Sequence, residues 1–458
     1  MKHINNLKSL ALVSLLSLSA ITATAGGLVT NSNQSASFLR NPARDGVIDI
    51  DGVYTNPAGV CFMPKGFHLG LTIQHPEQQR NVTTTFPTLA YNKNFLGQDQ
   101  RTYEGAASAP LVPSFQAAYV FGRWTAMASF AFTGGGGKCE FGNGIGSIES
   151  AYSLLMMQAM QAKGLGAAYQ GYTMDAFMKG RQYYYGLQLG AGYKVNDHLA
   201  VAVGLRAVIG DATYSGYVRN VCAYTSLPNM PQIPLNDYAI EMTTDQSCVG
   251  WTPVIGIDWR INDHWNVAAK YEFRTKMNLK NKSDMNDFAR QQPVLDKFND
   301  EKTERVRDDV PGTLGVGLQY SPITSLRFNG GFHFYDDCNA KKYNDEQELI
   351  DHGTIEFMLG AAYDINSWLT VSAGWQNTSY GLSDEAMQDM SYNCSSNMMA
   401  MGFRFKPSKK VSIDLGYMHN FYKDRTVETS NYQGTGLTKT DLYTRTNYVF
   451  AAGVNLDF

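Results

Sequence analysis

The sequence predicts an all-β fold, a 14-stranded antiparallel transmembrane β-barrel with an N-terminal hatch, or plug, inside the lumen. Three observations predict it. An export signal is followed by no helix-length apolar run, the rest of the chain alternates with a period of two, and short connections alternate with long ones. Composition agrees. Of 458 residues only 17% are charged, against ~25% in soluble domains. Aromatics reach 12%, which excludes a disordered chain, and a net charge of -3 leaves no basic excess for nucleic acid.

The export signal comes first. Lys2 and Lys8 give a positive start, and Leu10 to Ala20 is apolar apart from serines. That stretch is shorter than the ~20 residues of a spanning helix. Ala23-Thr24-Ala25 is a small-x-small cleavage site, so residues 1–25 are expected to be a signal peptide. No later window resembles a membrane-spanning helix, which excludes a helical inner-membrane protein.

The strands follow. Val411, Ile413, Leu415 and Tyr417 alternate with Ser412, Asp414, Gly416 and Met418. Trp265, Val267, Ala269, Tyr271 and Phe273 alternate with Asn266, Ala268, Lys270, Glu272 and Arg274. One face suits lipid and the other a polar lumen. Strands are expected to start near 66, 112, 124, 183, 198, 249, 264, 311, 325, 354, 368, 395, 410 and 446. Short turns include Asn196-Asp197-His198, Asn262-Asp263-His264 and Asn366-Ser367. Long loops are expected near 75–111, 134–181, 210–248, 276–310, 337–353, 379–394 and 422–445. A bilayer tolerates only a backbone whose hydrogen bonds are all made internally, and a closed sheet makes them. Trp124, Trp259, Trp265 and Trp368 sit beside short turns, where amphipathic rings favour the interface. The last strand alternates from Tyr448 to a terminal Phe458, which resembles the signal read by the outer-membrane assembly machinery.

Residues 26–65 do not alternate, so the barrel is expected over 66–458 and the hatch over 26–65. A barrel of this size is too wide for its own side chains to fill. Arg40, Arg44, Asp45, Asp49 and Asp51 are placed to bridge to inward Arg206, Lys270, Glu272, Arg327, Glu356, Arg404 and Asp414.

Two stretches of this segment carry a resemblance: Asn33-Gln34-Ser35-Ala36-Ser37-Phe38, and Asp49 to Gly59 with Asn56-Pro57-Ala58. Followed by a first strand, they resemble the FadL/TodX family, outer-membrane transporters of fatty acids and other hydrophobic compounds. The resemblance implies a Gram-negative outer membrane and passive uptake. It implies capture outside, movement of the hatch, and lateral exit through the barrel wall near the third strand. Asn56, Pro57 and Ala58 look like the hatch motif; a second copy, Asn41, Pro42 and Ala43, departs from better-known members and fits a second tight turn. The implied partners are hydrophobic small molecules or fatty acids, outer-membrane lipid and lipopolysaccharide, with a monomeric chain.

Candidate site residues follow. A helix over 147–162, capped by Ser147, would present Ile148, Tyr152, Leu155 and Ala159, with Met156 adding adaptable surface, for substrate capture. Packing on other loops is the equally weighted alternative. Gly134, Gly135, Gly136 and Gly137 relax the third strand for a lateral opening or a flexible loop entrance. Arg206, Lys270 and Arg327 would meet an acidic head group or pair with the hatch, Glu272 and Glu356. Cys222 and Cys248 flank the third long loop as a candidate disulfide, with Cys338 and Cys394 a weaker pair. No metal or cofactor motif and no Ser/His/Asp spacing stands out, so an enzyme is not expected. The alternative function is a barrel serving as a secretion-system shuttle or attachment partner, or a surface receptor, without small-molecule transport.

Overall fold

The computed structural model describes residue 30 and residues 34–458 apart from 96 and 110. The expected signal peptide and Asn33 lie outside the described residues. The barrel strands are β1 (Gly66–Thr85), β2 (Val112–Phe121), β3 (Trp124–Phe141), β4 (Tyr169–Lys194), β5 (Leu199–Thr225), β6 (Ile240–Arg260) and β7 (Trp265–Glu272). They continue as β8 (Thr313–Ile323), β9 (Leu326–Tyr335), β10 (Ile350–Asp364), β11 (Leu369–Leu382), β12 (Ser396–Ser408), β13 (Val411–Tyr422) and β14 (Lys439–Asp457). Each pairs antiparallel with the next, and β14 returns to β1 from His68↔Asp457 to Thr85↔Thr440. The ring is therefore a closed 14-stranded antiparallel barrel.

Its outer face is apolar where lipid would lie. Leu71, Leu189, Val203, Val249, Leu359 and Met401 are all exposed, a patch no soluble monomer would leave bare. Trp124, Trp259, Trp265 and Trp368 are exposed beside the short turns, as expected. Three of those turns share one device. The Oδ1 atoms of Asn196, Asn262 and Asn366 each accept from the backbone N–H groups two and three residues on, at 2.8–3.0 Å. At the seam, Phe67 N donates to Phe458 O at 3.2 Å and Phe458 N to Phe67 O at 2.9 Å. Gly66 has φ +134, and a Cβ there would overlap Phe458 O.

The structure corrects the expected loops at 134–181 and 210–248. β3 runs on to Phe141, β4 begins at Tyr169, β5 reaches Thr225 and β6 begins at Ile240. These strands rise above the apolar band. There the outer face carries Lys179, Arg181, Asp211 and Asp245, so strand pairing persists while hydrophobic alternation fades.

That stagger also separates the expected disulfide. Cys222 pairs across to Thr173 and Cys248 to Gly210, and both thiols are free. Gly210 and Cys222 lie on the same strand, roughly 40 Å apart at ~3.3 Å per residue. A disulfide needs Cα atoms about 5.5 Å apart. Cys338 and Cys394 are also free, although they share one apolar cluster.

Candidate functional site

Residues 34–65 pack against inward-facing side chains around most of the ring. Helix α1 (Ala36–Arg40) is capped by Ser35, whose Oγ accepts from Phe38 N at 3.0 Å. Its Arg40 pairs with Asp414 of β13 at 2.9 Å and donates to Ser372 of β11 at 2.6 Å. Arg44 meets Asp51 at 2.8 Å and Asp49 at 3.0 Å, while Arg404 of β12 meets Asp49 at 2.8 Å and Asp414 at 2.7 Å. Three arginines thus interleave with three aspartates. Burial would raise the Asp49 carboxyl, but Arg404 and Arg44 outweigh it and hold Asp49 below the usual range. Burial draws the Arg40 guanidinium down to about 10, with Asp414 pulling the other way.

The two Asn-Pro-Ala copies use the same construction. Asn56 Oδ1 accepts from Gly59 N at 3.0 Å, closing its own turn, and its Nδ2 donates to Asp258 of β6 at 2.5 Å. Asn41 Oδ1 accepts from Ala43 N at 3.1 Å, and its Nδ2 donates to Asn329 of β9 at 2.7 Å. Each proline ring then lies on a wall glycine. A Cβ on Gly374 would overlap Pro42, and one on Gly256 would reach 3.0 Å from Pro57 Cγ. These glycines carry no signal in the sequence, because small inward residues recur throughout the barrel.

The wall is interrupted between β2 and β3. Their ladder stops at Phe115↔Phe130, and β3 next meets that side at Ala106↔Glu140, on a short strand, Gln100–Ser108, that precedes β2. Among the described residues no pair joins the stretch between, which covers roughly 30 Å of β3 at ~3.3 Å per residue. Both sides have a chemical reason. Pro113 lacks an N–H to donate. On β3, the ladder to β4 shifts register between Phe132 and Gly134 and again between Gly134 and Gly137. Gly135 and Gly137 hold φ of +104 and +71, open to glycine and rarely to others. The glycine run is a bulge facing a gap.

Gln34 stands in that gap from the inside. Its carbonyl accepts from Ser114 Oγ at 2.6 Å and Gln116 Nε2 at 3.1 Å, both on β2. Its own Nε2 donates to Phe132 O of β3 at 3.2 Å. Gln34 lies in the stretch that carries the family resemblance, whereas nothing around Pro113 marks it in the sequence.

A lumen pocket reaches from Phe38 and Tyr54 to Thr133 beside the gap. Arg206 and Lys270 share one carboxylate there, at 2.6 Å and 2.7 Å from Glu272. Lys270 also donates to Tyr54 O at 2.8 Å, and both cations lie over the Tyr54 ring. Arg327 does not join them. It pairs with Asp364 at 2.6 Å, near a short turn and partly exposed.

Above the barrel, helix α2 (Gly146–Ala162) is the expected helix with a different cap. Ile145 is its N-cap and makes no side-chain bond. Ser147 instead gives its N–H and Oγ to Asp389 of another loop, at 2.9 Å and 2.7 Å. Glu149 anchors the helix further, accepting from Asn92 at 2.7 Å, Arg101 at 2.5 Å and Tyr103 at 2.7 Å. Leu155, Met156 and Ala159 are buried in a cluster with Tyr172, Val218 and Tyr238. Tyr152 belongs to the same cluster and Ile148 packs against it, and both also reach a neighbouring pocket. With Met178, Ile240 and Leu295 they line this narrow apolar pocket.

The structure is similar to that of a Pseudomonas aeruginosa FadL homologue, with a TM-score of 0.66 at 13% identity over 96% of this chain and 99% of that one. It is similar to the P. putida toluene transporter TodX, with a TM-score of 0.57 at 13% identity over 90% and 94%. The Ralstonia pickettii toluene transporter TbuX gives 0.53, also at 13% identity over 90% and 94%. At such identities these likenesses establish the fold. No curated protein matches the sequence. A family model does match, over residues 183–458, and through it this chain belongs to the outer membrane protein transport protein family, OMPP1/FadL/TodX.

Proposed function

We propose that the protein is an outer-membrane channel for passive uptake of hydrophobic compounds such as long-chain fatty acids, and that residues 26–65 act as its hatch. The observation that carries this is the interrupted wall between β2 and β3, bridged from inside by Gln34. Membrane barrels otherwise keep every rung of the ladder paired, because an open edge in lipid is costly. A gap beside a lumen pocket suits a ligand that leaves sideways into the bilayer. A secretion partner or receptor without transport has no use for it. Arg206 and Lys270, sharing only Glu272, leave a positive balance suited to the acidic head of a fatty acid. Export through cleavage after Ala25 is part of the same reading.

Capture would take place at the apolar pocket under Ile148 and Tyr152. Ile148→Asn is expected to cut hydrophobe uptake several-fold while the barrel still assembles. Leu155→Asn, by contrast, puts an amide into the loop core and should lower stability by about 3 kcal/mol or more. Uptake by Ile148→Asn protein equal to the parent's would exclude this capture site.

The overall reading is tested in a Gram-negative host lacking its own fatty-acid channel. Expression should restore growth on a long-chain fatty acid, and the purified protein should yield an extractable hydrophobe by mass spectrometry. A correctly assembled protein that restores no uptake of fatty acids or aromatic hydrocarbons would rule it out.

A further inference from the structure

Two arginines in the upper lumen have no carboxylate between them. Arg80 of β1 and Arg445 of β14 are register partners, both on the inner side of the wall. Directly opposed residues bring their Cβ atoms within ~5.5 Å, and like charges so placed repel. Arg80 is 8% exposed and donates only to the neutral carbonyls of Met390 at 3.1 Å and Tyr392 at 3.3 Å. Arg445 donates to Asn393 Oδ1 at 3.2 Å and Gln78 Oε1 at 2.6 Å. Neither forms an ion pair with any described residue, unlike Arg40, Arg44, Arg206 and Arg404.

The surroundings supply buried polar atoms without partners, most of them donors. The Nε atoms of both arginines are buried without a partner, as are Gln78 Nε2, Ser396 Oγ and both amide atoms of Asn420. Gln78, Asn447 and Asn420 form one rung, next to the arginines. Buried donors without acceptors each cost free energy, and adjacent uncompensated cations cost more. The chain's own amino terminus cannot compensate them. Thr30 reaches this region, its Oγ1 lying 2.8 Å from Tyr380 OH, but no Asp or Glu occurs before Asp45. Beside the arginines, Val82, Tyr380, Tyr392 and Tyr443 belong to one apolar cluster.

We propose that Arg80 and Arg445 form a second anion site in the lumen, taking the carboxylate or phosphate head of an amphipathic ligand while the tyrosine cluster receives part of its apolar body. Paired guanidinium forks match oxyanion geometry. The site is separate from Arg206 and Lys270, which are partly neutralised by Glu272. It rests on the channel reading only in that a ligand must reach the lumen.

The test uses the full chain purified in a neutral detergent, with dodecanoate, dodecyl phosphate and dodecanol as matched probes. Calorimetry should show one or both anions binding at least tenfold tighter than the alcohol, and the preferred anion identifies the head group. In a background carrying Arg206→Gln, which silences the site beside Glu272, Arg80→Gln and Arg445→Gln should each erase that preference. Arg445→Lys, which retains charge but loses the fork, should retain part of it and guards against a misfolded glutamine variant. Ligand-free Arg445→Gln should melt no lower than the parent, because a repulsion has been removed. Equal binding of anions and alcohol would overturn the site. So would a folded Arg80→Gln/Arg445→Gln pair of changes that keeps the preference in the Arg206→Gln background, or a lower melting point with the preference intact, which marks a structural role. Binding in detergent does not require transport, so an uptake defect leaves this result standing.

Discussion

Oxidising a Ser114→Cys/Ala131→Cys pair is expected to stop hydrophobe uptake, and reduction to restore it. The two positions are where the next rung above Phe115↔Phe130 would fall if the β2–β3 ladder continued, and both side chains are buried on the inner side. A disulfide there would draw the two edges together over the space Gln34 now bridges. Uptake by the oxidised protein should fall to the level of cells without the channel, measured with a labelled long-chain acid. A control pair, Ala117→Cys/Ala128→Cys, ties a rung that is already paired and should leave uptake unchanged. The control separates closure of the gap from a general effect of cross-linking. Normal uptake with the first pair fully oxidised would eliminate lateral exit through this gap.

The glycines of this gap were legible in the sequence; the gap itself was not. Gly134 to Gly137 stand out as a run, whereas Pro113 is one proline among 15 and Gln34 an ordinary polar residue. Their meeting depends on closure of the ring and on the path of the amino terminus, which no local pattern encodes. The strands were legible wherever one face meets lipid, because apolar residues must then recur every second position. Above the lipid both faces of β4, β5 and β6 turn polar. Strand ends were therefore lost, and with them the separation of Cys222 from Cys248. The α2 helix shows the same limit. Its periodicity identified a helix, but Asp389 and Arg101 come from distant segments, and they decide which face is covered. The Asn-Pro-Ala turns were visible through family resemblance, while their seats on Gly256 and Gly374 needed the assembled wall.

Asp414→Asn is expected to loosen the amino-terminal segment without preventing barrel assembly. Asp414 is the hub of the arginine–aspartate network. It pairs with Arg40 and Arg404 and accepts from Ser37 at 3.0 Å and Asn455 at 2.9 Å. Removing its charge leaves three arginines facing two aspartates in a buried site. Breaking one partner of a buried ion pair costs about 3–5 kcal/mol. The backbone ladder of β13 does not depend on that side chain, so the cost falls on the seating of α1 rather than on the wall. Single-channel conductance in planar bilayers and entry of a small polar dye should both rise clearly above the parent's. Charge balance gives a sharper test than the single change. In Arg40→Met/Asp414→Asn, Arg404 keeps Asp49 and Arg44 keeps Asp51, so two charges of each sign remain. The double variant should therefore leak less than Asp414→Asn alone, although it has lost one more native contact. Equal or greater leakage from the double variant would mean that shape, and not charge balance, seats the amino-terminal segment.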